Sequence, residues 1–162
     1  MPDQFSKQDE NFMSMAIEKA KSGVIKGQTP FGACIVKQGK VISCAHNEVW
    51  RKTDITAHAE IQAIRLACGK NGSVNLSGCT IYSTCEPCPM CFSACHWARI
   101  SKIIYGANIK DAKIAGFNEL AASNKKLITL TKSPLKVKCG CLRSENKELF
   151  LLWKKLGLNQ AY

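Results

Sequence analysis

From Ser6 to Gly23 the apolar residues recur at helical spacing, with Met13, Ala16, Ile17, Ala20 and then Val24 on one face. Ser6 followed by Asp9 matches a capping box, so this segment is predicted as an amphipathic first helix. The period then shortens. Phe31–Lys37 and Lys40–Ala45 are β-prone runs on either side of Gln38-Gly39, the pattern of an antiparallel hairpin. Thr56 is placed to cap a second helix that carries His58 and Glu60 in its first turn, packs through Ile61, Ile64, Leu66 and Cys68, and stops at Gly69. A strand over 79–84 runs into a helix starting near Pro87, a residue well suited to a first helical turn. A strand over 102–106, a helix over 111–122, a strand over 135–139 and a last helix with Leu149, Leu152, Trp153 and Leu156 on one face complete the pattern. Strands alternating with helices imply parallel crossovers and a sheet covered on both sides.

Composition sets the scale. With 162 residues and a hydrophobic fraction of 46%, the chain is long enough to bury one core, and a single domain over 1–162 is expected, with no internal repeat or linker. No stretch has the uncharged apolar length of a membrane helix, and Met1-Pro2-Asp3-Gln4 lacks the layout of a secretory signal, so no membrane partner and a cytoplasmic location are expected. Most of the ten cysteines, Cys34, Cys44, Cys68 and Cys79 among them, lie in apolar segments and read as free thiols packed as small hydrophobes. Only Cys85, Cys88, Cys91 and Cys95 are dense enough to raise metal chemistry. The net charge of +11 comes largely from lysines dispersed through the second half, which favours a solvated surface over a nucleic-acid face.

The chemistry concentrates at two predicted helix starts, Thr56-Ala57-His58-Ala59-Glu60 and Cys85-Glu86-Pro87-Cys88-Pro89-Met90-Cys91. Cys88 and Cys91 share one helical turn, and the positive end of the helix favours their thiolates. With neutral His58 they make a three-ligand set suited to Zn2+, one ion per chain, with a fourth position open to water. Glu60 then serves as a proton carrier beside an activated water. H-x-E together with P-C-x-x-C is the general signature of zinc deaminases. A fourth ligand from Cys85, Cys95 or His96 would instead close the site and make it structural, the mark of a zinc-stabilised binding module with no task for Glu60.

With these motifs, and with Pro30-Phe31-Gly32-Ala33 and Trp97-Ala98-Arg99, the sequence resembles the cytidine deaminase-like superfamily from about Phe12 to Tyr162, and within it the bacterial guanine deaminases. The resemblance implies an α/β fold, a three-layer α/β/α sandwich around a five-stranded mixed sheet, assembled as a homodimer. It implies zinc on His58, Cys88 and Cys91, catalysis by Glu60 and Glu119, and a purine held by Phe31, Asn47, Trp97 and Tyr162. Glu119 stands where the family usually has aspartate. The resemblance further implies a segment of about 144–162 exchanged between subunits, with Tyr162 laid over the neighbouring site. The expected reaction is guanine plus water to xanthine plus ammonia. Transfer-RNA adenosine deaminases share the zinc motif and are the main alternative, with a deaminase of guanosine or another nucleobase as a second.

Overall fold

A computed structural model describes residues 5–158 and 160–162. Helix α1 spans Lys7–Ile25 and begins with the expected capping box, Ser6 and Asp9 each accepting the other's backbone N–H. Strands β1 (Gly32–Lys37) and β2 (Lys40–His46) form the hairpin, whose turn residues Gln38 and Gly39 both have positive φ, 48° and 73°, as a two-residue turn matching strand twist requires. The pairing then slips by one residue between Ile35 and Val36, so that Cys34 faces Cys44, and the two form a disulfide. This corrects the expectation of free thiols at these positions. The tight turn alone would have set Cys34 opposite Ser43, and only the bulge changes its partner.

A short α2 (Val49–Lys52) precedes α3 (Ala59–Asn71). Thr56 does not cap α3: Asp54 takes its N–H and its hydroxyl, and His58 fills the cap position instead. The helix also passes Gly69 and ends at Gly72, which has φ 60°. After β3 (Cys79–Cys85), α4 covers Pro89–Trp97 with Cys88 at its cap position, two residues later than the cluster suggests. Strand β4 (Lys102–Ala107) leads to α5 (Ile109–Ala115), which Gly116 ends at φ 112°. The predicted 111–122 helix is therefore a shorter helix and a loop. A further helix that the pattern did not signal, α6 (Asn124–Thr131), follows, then β5 (Lys136–Cys139) and α7 (Arg143–Leu156).

The five strands lie in the order β2-β1-β3-β4-β5; β1 is antiparallel to both neighbours, while β3, β4 and β5 are parallel. The fold is α/β, a mixed sheet between two helical layers. Alternate side chains feed the two faces. Cys34, Tyr82 and Ile104 pack with α1 and α7, whereas Ile35, Ile81 and Ile103 pack with α3 and α4. No helix among the described residues is long and apolar enough to cross a membrane.

Helix α1 lies directly on the start of β1, where a Cβ on Gly32 would overlap the backbone carbonyl oxygen of Ala16. The Gly32 N–H donates to Thr84 Oγ1 at 3.0 Å, which ties this approach to the end of β3. Gly32→Ala is expected to destabilise the protein by about 1–3 kcal/mol, because backbone cannot yield as a side chain would. Chemical denaturation of the two proteins measures the difference.

Candidate active site

Four chain segments meet at one edge of the sheet: Phe31 before β1, His46-Asn47 at the end of β2, the Cys85–Cys88 turn after β3 and Asn108 after β4. His58 and Cys88 both stand at helix cap positions in extended backbone, ψ 155° and 167°, and neither uses its side chain to cap its helix. Both side chains are thus left to face each other. His58 Nδ1 lies 3.7 Å from Cys88 Sγ and 3.5 Å from Cys91 Sγ. Nitrogen and sulfur ligands on a tetrahedral zinc stand about 3.5 Å apart, so the donor set fits that ion.

The three ligand atoms form a group within 4.8 Å of one another, and Cys85, Cys95 and His96 are not part of it. Cys85 Sγ turns to Asn108 O at 3.6 Å, and His96 Nδ1 pairs with Ser133 Oγ at 2.9 Å. Among the described residues, then, no fourth protein ligand closes the site.

The electrostatics are those of a buried charged cluster. Cys88 is drawn down to about 4, first by the hydrogen bond with Cys91, with His58 assisting and burial opposing. That same bond, together with burial, holds the Cys91 thiol well up. Burial works against a charged His58, but the Cys88 hydrogen bond and the Glu60 charge outweigh it and raise the imidazole. Glu60 is fully enclosed; burial lifts its carboxyl first and Cys88 adds to the shift, while Oε1 accepts from Ser83 Oγ at 3.0 Å and Oε2 lies 3.5 Å from Cys91 Sγ. Glu119, on the loop after α5, is pushed up to about 7 by burial and then by the charges of Cys88 and Glu60. Two carboxyls beside the ligands are thereby shifted toward the proton-bearing form.

Aromatic rings wall the site. Phe31 and Phe117 meet edge to face at 4.9 Å, and the Tyr162 ring lies 5.6 Å from both Phe117 and His58. Asn47, fully buried, donates from Nδ2 to the Tyr162 hydroxyl at 2.6 Å and accepts from Val49 N. Trp50 Nε1 donates to Gln160 O, and Asn118 N donates to Tyr162 O. The tail therefore covers the site. Inside the ring of Tyr162 the cavity is about 20 Å³, the size of a single water; outside it lies a hollow of about 270 Å³ floored by His58, Cys88 and Phe117.

Of the residues singled out in the sequence, the structure brings together His58, Glu60, Cys88, Cys91, Phe31, Asn47, Glu119 and Tyr162. It does not bring Trp97. Cys91, Phe92 and Cys95 make the buried face of α4, and Trp97 falls outside it, 80% exposed, with its ring against His96. Three contributors were missed. Phe117 was read only as a position in the 111–122 helix, Trp50 gave no signal, and Glu86 lay inside the cysteine motif itself, a carboxylate at a cavity wall.

The family model for the zinc-binding region of cytidine and deoxycytidylate deaminases matches residues 6–107. The chain belongs to this family. A guanine deaminase of Bacillus subtilis (strain 168) is 46% identical over 111 residues, 68% of this chain and 71% of that protein. A tRNA-specific adenosine deaminase of Aquifex aeolicus (strain VF5) is 47% identical over 98 residues, 60% of this chain and 65% of the relative, so under two thirds of that length is matched. The solved structure of a guanine deaminase from Nitrosomonas europaea superposes with a TM-score of 0.85 at 25% identity, covering 96% of this chain and 88% of that one. As a member of the deaminase family the chain is a hydrolytic deaminase holding one zinc per chain, and its His/Cys/Cys group suits that ion.

Replacing His58 with Ala or Cys88 with Ser is expected to lower zinc content well below one per chain, while Cys85→Ser and Cys95→Ser retain it. Elemental analysis of the purified variants measures this directly. Zinc lost from the Cys95 variant would place a fourth ligand in the site.

Proposed function

We propose that this deaminase acts on a free purine base, converting guanine and water to xanthine and ammonia. The observation that carries the reading is the cover over the site: Tyr162 lies across His58, held by Asn47, in a closed arrangement suited to a small flat substrate. A flipped nucleotide on a polymer needs a mouth through which the backbone passes. With Tyr162 in place only water-sized space remains beside Glu60, so the base reaches it from the hollow that Glu119 also lines as the tail shifts. The purine then lies between Phe31, Phe117 and the returning Tyr162, where flat apolar faces suit it, and the Asn47 amide, able to donate and accept, meets its polar edge.

When bound on His58, Cys88 and Cys91, zinc makes water a nucleophile at neutral pH. Glu60, beside these ligands but not one of them, takes the proton as the water oxygen bonds to C2, and delivers it to the neighbouring ring nitrogen. Glu119 hands a proton to the amino group as the C2–N bond breaks and ammonia leaves, and the proton remaining on the C2 hydroxyl returns to a carboxylate as the C2=O bond forms, which restores the acid. Burial is the largest cause of the raised Glu119 carboxyl and favours the proton-bearing form that this step uses. Glu119 is one methylene longer than the aspartate usual in similar enzymes. In a homodimer exchanging the segment from about 144, the same contacts to Tyr162 would be made by a second copy. A cytoplasmic setting suits such a reaction.

Ammonia release from guanine, guanosine, adenine, cytosine and a transfer-RNA anticodon stem-loop tests the assignment, with guanine expected to be the preferred substrate. Inosine formed in the stem-loop, with guanine untouched, would transfer the assignment to the nucleic-acid enzymes. Glu60→Gln is expected to lower kcat on guanine by at least about a hundredfold while zinc stays at one per chain. Loss of the metal together with activity would make Glu60 a ligand and end its role as proton carrier.

A further inference from the structure

Glu86 is buried, holds no metal, and has partners at both ends of a single stretch of chain. Its Oε2 accepts from Ile109 N at 3.2 Å and its Oε1 from Asn124 N at 2.8 Å. Ile109 opens α5 and Asn124 opens α6. The flanking residues of the cysteine turn make the same connection: Cys85 Sγ reaches Asn108 O, and Asn124 Nδ2 donates to Pro87 O at 2.6 Å. The strap from 109 to 124, which carries Phe117 and Glu119, is thus fastened at both ends to the residues immediately before Cys88.

Helix capping does not account for these bonds. Asn108 already caps α5 through Asp111 N, and Ser123 caps α6 through Lys126 N. Glu86 takes the first N–H of each helix, groups that have no partner within a helix and are free to join it to something else. The strap has another support, with Phe117 packed against Phe31, Phe150 and Trp153. Glu119 lies between that aromatic anchor and the carboxylate tie.

We propose that Glu86 is a positioning residue for the reaction, fixing the strap against the cysteine turn so that Glu119 stands at the substrate. The inference rests on Glu119 as the second proton carrier. It predicts coupling between two carboxylates, one of which never touches the base.

The test combines Glu86→Gln, which turns one acceptor into a donor facing a backbone N–H, with amide hydrogen exchange and kinetics. Zinc is expected to remain at one per chain, and amides of 116–123 to exchange about tenfold faster, with those of β3 unchanged. On guanine, kcat is expected to fall about tenfold with KM little altered. Added to Glu119→Gln, the same change should slow the reaction by no more than about twofold, because its effect passes through Glu119. If Glu86→Gln does not fold, Asn124→Pro removes the N–H that Oε1 accepts, at a first helical position where proline is tolerated. It should loosen the same amides more than Asn124→Ala, which keeps that N–H. Independent, multiplying losses in the double variant, or unchanged exchange over 116–123, would overturn the proposal. If the wild type leaves guanine untouched, the substrate reading fails, and the exchange measurement still tests the tie.

Discussion

His58 and Cys88 occupy the residue just ahead of a helix, the position where a side chain ordinarily turns back to satisfy the helix's first N–H groups. Neither does so. Each has the extended backbone of a cap, which points its side chain away from its helix axis, and the two helices converge so that these side chains meet. Pro89, at the first position of α4, has no N–H to leave unpaired there. The exposed positive ends of both helices also favour thiolate, which is the form a metal requires. If either helix began a residue earlier or later, its ligand would rotate away by about 100°.

The sheet delivers everything else to that point. Because β1 runs antiparallel to β3, its first residues lie beside the last residues of β3, with Ala33 opposite Ser83. Phe31 and Thr84 therefore share an edge with the cysteine turn, and Ser83 reaches Glu60 from the strand itself. A parallel β1 would have put Phe31 at the far end. The parallel pair β3 and β4 supplies the other wall: Cys85 is level with Ala107, so the turn after β4 begins beside the turn that holds the metal ligands. Crevices beyond the carboxyl ends of parallel strands are a recurrent place for ligands in α/β sheets.

Much of this was legible before any coordinates. Strong periodicity marked α1, the hairpin, β3 and α7, and residue chemistry marked His58, Glu60, Cys88 and Cys91, since few other arrangements use those types at two helix starts. Several failures share a cause: they depended on geometry set outside the local pattern. The Cys34–Cys44 bond turns on a one-residue bulge. Helix α6 has a weak apolar stripe, with Leu127 and Ile128 only partly buried, and the helix-forming residues Leu120-Ala121-Ala122 beyond Gly116 concealed the stop that Gly116 imposes. Trp97 sits on a helix whose buried face is chosen by the sheet beneath it, which the tryptophan's own neighbours do not reveal. Glu86 drew no attention because its partners, Ile109 and Asn124, lie far along the chain.

Gly157 ends α7 in the left-handed region, and residues 160–162 lie at the site. Each residue of extended chain advances its end by only about 3.3–3.6 Å. With Phe150 and Trp153 fixing the helix and Asn47 fixing the phenol, the number of residues between glycine and tyrosine works as a ruler. A single insertion or deletion there would carry the ring off its mark by most of its own width. The tail is thus constrained by its length.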